Sequence, residues 1–264
     1  MKFNKKFMIA ALTALLISAL SACGSGNDDT AENNGGNGDT KEVLTIGTEA
    51  TYPPFSFRGD DNEITGYDVE VAREVADRIG MEAEFKPTEW KAMLESLRTD
   101  RFDMVANQVT ITEERKETFD FSIPYTVSGG QVIVHENNKE INGLDDLKGK
   151  VVGTTQGSNY ADIAKEAGAE VKFYKGAQQV LSDLNDKRID AALNDRLFIL
   201  EELPKTGFDL KSVGDVFNKN EMAFAFNKSN DDLVKKVNDA LKEMKKDGTL
   251  ADISKKYFGE DVSE

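Results

Sequence analysis

The chain has 264 residues, 39% of them hydrophobic and 31% charged, with a formal net charge of -15. That length suits two lobes of ordinary domain size, and the balance of apolar and charged residues is that of a folded protein. So acidic a surface repels phosphate backbones and anionic lipid, which argues against a nucleic-acid partner and against direct docking on a membrane surface.

There is one cysteine, Cys23, and one histidine, His135. No disulfide can form within the chain, and neither a cysteine-based zinc site nor any other metal or cofactor is expected. His135 lies in the strand-like run QVIVHE with no identifiable acid to orient it, so a Ser-His-Asp triad is not expected and the chain does not read as an enzyme.

Taken in chain order, the first segment is MKFNKKFMIAALTALLISALSAC. Three lysines, an apolar run from Phe7 to Leu20 and a small-residue end read as a signal peptide over 1–22. The run is shorter than the ~20 apolar residues of a membrane span. Residues 24–40 hold no large apolar residue, so 23–40 is expected to be a flexible tether beginning at Cys23.

The folded part opens with VLTIGTEA (43–50), which alternates as a strand does. YDVEVAREVADRIG (67–80) places Val69, Val71, Ala72, Val75, Ala76 and Ile79 on one helical stripe. EAEFKPTE reads as a strand, WKAMLESLRTD as a helix and FDMVANQVTI as a strand; Thr112 can then cap a helix whose first turn carries Glu113 and Glu114. After SGGQVIVHE the alternation restarts. KVVGTTQ, EVKFYK, IDAALND and EMAFAFNK (221–228) read as strands, and SNYADIAKEAG, with Ser158 as its cap, AQQVLSDLNDKR and DRLFILEEL as helices. DDLVKKVNDALKEMKKDGT and LADISKKYFGE add two terminal helices. Such alternation predicts two α/β units with largely parallel sheets.

Ligands in such folds sit beyond the carboxyl ends of strands, here near Thr48–Phe55, Thr88–Trp90, Asn107–Arg115, Gln156–Tyr160 and Asn194–Arg196. Thr110 and Arg115, with free backbone N–H groups at a helix start, form a potential carboxylate receptor; alternatively Arg115 pairs with Glu113, Glu114 or Glu117 on a solvated helix. Tyr52 and Trp90 are candidates to clamp a ligand, the alternative being core packing. Asp195 either pairs with a ligand ammonium or caps the helix that follows it.

Several runs together resemble a known family: EATYPPFSF, GYDVEVAREVADRIG, NQVTITEERKETFDFSIPYTVSG, LKGKVVGTTQGSNY, RIDAALNDR and KKDGTLADISKKYFGED. They look like the polar amino-acid solute-binding proteins of ABC importers, over about residues 41–261, and KPTEWKAML, ANQVTI, GSNY and NDR look like the L-cystine-binding branch. Leu20-Ser21-Ala22-Cys23 resembles a bacterial lipobox.

The resemblance implies an α/β periplasmic-binding-protein type II fold: two lobes, 41–128 plus 224–264 and 129–223, joined by crossover strands near Tyr125–Gly130 and Glu221–Ala225. It implies lipidation of Cys23 and a monomer anchored on the extracytoplasmic face of the cell membrane. The expected partners are a free amino acid, L-cystine by the branch, and an ABC permease with its ATPase. Arg115, helped by Thr110 and the backbone at Gln108, would bind the ligand carboxylate, Asp195 the ammonium, and Tyr52 and Trp90 would clamp it beside Glu49. Gln156, Gly157, Ser158 and Asn159 would add second-lobe contacts. Relatives often carry glycine where Gln108 stands, so its side chain would fill space or touch the ligand. A cystine ligand has two zwitterionic ends, and its second end would use Gln108, Asn107, Asn159 or Arg196.

Overall fold

The computed structural model describes residues 41–264; the expected signal peptide, tether and Cys23 lie outside them. The first strand, β1 (Glu42–Thr48), leads into a loop and a small hairpin of β2 (Phe57–Arg58) and β3 (Ile64–Thr65). Helix α1 (Tyr67–Arg78) follows, burying Val69, Val71, Ala72, Val75 and Ala76 as its stripe requires. Its N-terminus is capped by backbone: the N–H groups of Tyr67 and Asp68 donate to the carbonyls of Pro54 and Phe55, both at 2.9 Å. Gly66, at φ +125°, makes this approach possible, because a Cβ there would lie 2.4 Å from the Phe55 carbonyl oxygen.

The chain continues through β4 (Met81–Pro87), α2 (Trp90–Arg98), β5 (Met104–Thr110), α3 (Glu113–Thr118) and β6 (Phe119–Phe121). Strand β7 (Thr126–His135) then enters a second α/β unit made of β8 (Val151–Thr155), α4 (Tyr160–Glu166), β9 (Glu170–Tyr174), α5 (Ala177–Asn185), β10 (Ala191–Asp195) and α6 (Arg196–Thr206). Strand β11 (Leu210–Asn227) returns, and α7 (Asp231–Asp247) and α8 (Thr249–Phe258) close the chain.

One nine-stranded sheet runs through both units in the order β4-β1-β5-β11-β7-β10-β8-β9, with β6 on β11. Each lobe contributes a parallel set, β4-β1-β5 and β10-β8-β9, and the crossover strands β7 and β11 join them antiparallel. This is the type II periplasmic-binding-protein architecture. The expectation of largely parallel sheets holds within the lobes and fails at the crossover. Strand β11 also begins far upstream of the expected residue 221, because residues 210–213 pair with the 132–135 end of β7 before the register shifts. Thr126, Val127 and Ser128 face Met222, Glu221 and Asn220 across the crossover.

Thr112 caps α3 as expected, accepting from the Arg115 N–H at 3.1 Å. Ser158 is not the cap residue of α4. That helix starts at Tyr160 with Asn159 at the cap position, while the Ser158 hydroxyl accepts from the Tyr160 N–H at 3.3 Å. Among the described residues no helix is long and apolar enough to cross a membrane.

Candidate functional site

A cavity opens where the carboxyl ends of both parallel sets meet. Glu49, Tyr52, Trp90, Asn107, Gln108, Thr110 and Arg115 wall it from the first lobe, and Thr155, Ser158, Asn159, Tyr160, Ala177, Asn194 and Asp195 from the second, with Met222 on the crossover. Nine of the eleven sequence-predicted residues therefore meet in one place. Gln156 and Gly157 do not; they line an adjoining groove that shares Thr110, Arg115, Ser158 and Asn159 with the cavity.

Arg115 is held by neutral groups. Its guanidinium donates to the carbonyls of Thr110 at 2.9 Å and Gly157 at 3.3 Å, and lies 5.5 Å from the centroid of the Trp90 ring. Glu113, one proposed alternative partner, pairs instead with Lys116 at 2.8 Å. Burial pushes the Arg115 pKa down to about 10, against the attraction of Glu114 and Asp162. A part-buried cation held by carbonyls and a ring keeps its charge unmatched and can receive an anion.

Asp195 fulfils the capping reading made of it. Its Oδ1 caps α6, accepting from the Leu197 N–H at 2.8 Å and from the Ser128 hydroxyl at 2.7 Å, while Oδ2 accepts from the Tyr160 hydroxyl at 3.3 Å. Burial raises its pKa to about 6 despite these donors. Glu49 rises further, to about 7, through burial and the nearby Glu89, opposed by a hydrogen bond from Asn107. Asn107 braces that residue twice, since its Oδ1 also accepts from the Glu49 N–H at 2.8 Å.

Tyr52 is packed as a structural ring on the cavity wall. It stacks between Phe55 and Phe198, at 5.2 and 5.0 Å, and its hydroxyl donates to Asn194 across the lobes at 2.8 Å. Gln108 lies on the cavity wall with its side-chain amide engaged: Nε2 donates to Asp68 at 2.6 Å and to Thr126 at 3.1 Å. Its backbone is left-handed, at φ +47°, which is the conformation that glycine adopts freely. Arg196 does not reach the cavity; it forms an ion pair with Glu260 at 2.9 Å. Asn107, Thr155, Tyr160, Ala177, Asn194 and Met222 were not among the eleven residues. Asn107, Tyr160 and Asn194 fall within the strand-end windows, but Met222 lies mid-strand and carries no such signal.

The family of bacterial extracellular solute-binding proteins, family 3, matches residues 44–260. The chain belongs to this family. It is 48% identical over 224 residues, 84% of each chain, to the L-cystine-binding protein TcyJ of Escherichia coli K12. Among solved structures, an ancestral arginine-binding protein bound to arginine superposes with TM-score 0.78 at 37% identity, covering 83% of this chain and 99% of that one. The L-cystine solute receptor of Neisseria gonorrhoeae, in its unliganded open conformation, reaches only 0.59 at 41% identity, covering 85% and 96%. Within this structure Tyr52–Asn194, Arg115–Gly157 and Glu89–Lys175 bridge the two lobes directly.

Proposed function

We propose that this family 3 solute-binding protein captures L-cystine outside the cytoplasm and delivers it to an ABC importer, held at the membrane by a lipid on Cys23. The observation that carries amino-acid binding is the pairing, in one cavity, of a cation held only by neutral groups with a buried ionisable carboxylate, Arg115 and Asp195. A free amino acid offers the complementary carboxylate and ammonium. In this reading Thr110 and the Gln108 backbone assist Arg115. Tyr52 and Trp90 enclose the ligand beside Glu49, Ser158 and Asn159 add contacts from the second lobe, and Gln156 and Gly157 shape the rim. The lobes comprise 41–128 plus 224–264 and 129–223, closing as a monomer around the ligand. Cystine itself is supported by the L-cystine binding named for TcyJ and for the Neisseria receptor.

The experiment is a calorimetric titration with L-cystine and, in parallel, arginine, glutamine and histidine. Cystine is expected to bind most tightly, and its signal to disappear when excess phosphine reductant converts it to cysteine. A tighter competitor, or a signal that survives reduction, sinks the cystine assignment. The protein is read as a receptor rather than a catalyst, so incubation with prephenate or arogenate is expected to give no product. Formation of product would make Glu49 the acid to examine.

A further inference from the structure

The GYDVEVA run, which helped to mark the family, contains a carboxylate that the binding reading leaves unused. Asp68 is fully buried in the first turn of α1. It accepts three hydrogen bonds: from the Gln108 N–H at 2.8 Å, from Gln108 Nε2 at 2.6 Å and from the Tyr125 hydroxyl at 2.9 Å. Two of the three come from the one residue of the cavity wall whose backbone is left-handed, at φ +47°. A non-glycine residue in that conformation carries a conformational cost that its surroundings must offset. The turn separates two parts of the wall. On one side Asn107 braces Glu49, and on the other the Thr110 carbonyl receives Arg115. The third donor, Tyr125, immediately precedes β7 and stacks on Phe224 of β11 at 4.4 Å, so the same carboxylate ties the turn to both crossover strands.

We propose that Asp68 is a positioning residue for ligand capture: it locks the left-handed turn at Gln108, and so sets the cavity wall against the crossover between the lobes. This rests on the amino-acid-binding reading of the cavity. The Gln108 Oε1 atom agrees with such a division of labour. It is the one buried side-chain polar atom without a partner among the described residues, as expected where the amide orientation serves Asp68 first. An asparagine at position 68 can do the same work. Its carbonyl can accept from the Gln108 N–H while its amide donates to a flipped Gln108 side chain. An alanine cannot.

The test is calorimetry on the full chain with L-cystine, or with whichever amino acid the wild-type protein binds. Asp68→Ala is expected to weaken binding more than about tenfold, the order of a left-handed turn deprived of its restraint. Asp68→Asn is expected to stay within about threefold of wild type. Adding Gln108→Gly to Asp68→Ala is expected to recover most of the loss, because glycine needs no restraint at that φ. Simple loss of packing around Asp68 would not be repaired by removing another side chain. Should Asp68→Ala not fold, the double variant is still expected to fold and bind. Unchanged affinity in Asp68→Ala, or a double variant that is no better than Asp68→Ala, overturns the proposal. A wild-type protein that binds no amino acid would instead overturn the reading of the cavity.

Discussion

The guanidinium of Arg115 lies over the indole of Trp90, 5.5 Å from the ring centroid, while its N–H groups reach carbonyls of both lobes, Thr110 in the first and Gly157 in the second. The cation is thereby aimed and partly desolvated with its charge still free to be matched. Losing one member of a desolvated charge pair typically costs ~2–5 kcal/mol, about 30-fold to several thousand-fold in affinity. Arg115→Ala is therefore expected to abolish measurable binding at micromolar ligand. Arg115→Lys recovers only part of it, because lysine lacks the planar fork. Titration calorimetry of the two variants checks both; wild-type affinity in Arg115→Ala would remove Arg115 from the site.

The same geometry makes Trp90 a reporter. It is the only tryptophan of the chain and lies on the cavity wall. Ligand addition is expected to change intrinsic fluorescence with the affinity that calorimetry gives, and Trp90→Phe is expected to silence the change. A calorimetric isotherm with constant fluorescence would place the ligand elsewhere.

Acid is expected to act in opposite directions on stability and on binding. Glu49, Asp68 and Asp195 are raised by burial to about 7, 7 and 6, well above the usual carboxylate range. Between the unfolded values near 4 and these folded values the native state holds protons that the unfolded chain has lost, so their contribution to stability is present at low pH and lost as pH rises through 6–7. The ligand-free protein should therefore gain from these groups when pH falls from 7.5 to 5.5. Binding of an ammonium needs Asp195 ionised, so affinity should fall below pH 6, by about tenfold at pH 5 for this one group. Near pH 6 binding should release about half a proton, rising toward one as pH falls further. Titrations in buffers of different ionisation enthalpy measure that release, and melting curves at the two pH values measure the stability. Pure proton uptake on binding would contradict the role given to Asp195.

The anchor can be tested apart from the cavity. Cys23→Ser is expected to move the protein from the membrane fraction to the soluble one while leaving ligand affinity unchanged. Persistence in the membrane fraction would exclude Cys23 as the attachment point.

How much of this was legible beforehand depended on the range of the interaction. The apolar stripe of α1, the Thr112 cap and the strand ends at Thr48, Thr110 and Asp195 are local features, and their residues carry the signal. Ser158 was misplaced as a helix cap because a hydroxyl two residues before the helix offers much the same short-range bond as a true cap. The upstream half of β11 escaped notice because KSVGDVFNKN alternates poorly and is largely exposed; its pairing with β7 makes it a strand.

By itself the sequence determined the alternating α/β order, the strand-end windows around the cavity and the placing of Arg115 one turn after a cap. Each follows from side-chain periodicity or from bonds between residues a few positions apart. Only the tertiary structure decided that the Gln108 amide donates to Asp68, 40 positions away; that Arg196 pairs with Glu260; and that Tyr52 meets Asn194 across 142 residues of chain. The physical reason is that a polar side chain in isolation has many equivalent partners. Strand order, the crossover register and the approach of the lobes select which one is in reach, and burial then makes leaving that partner costly.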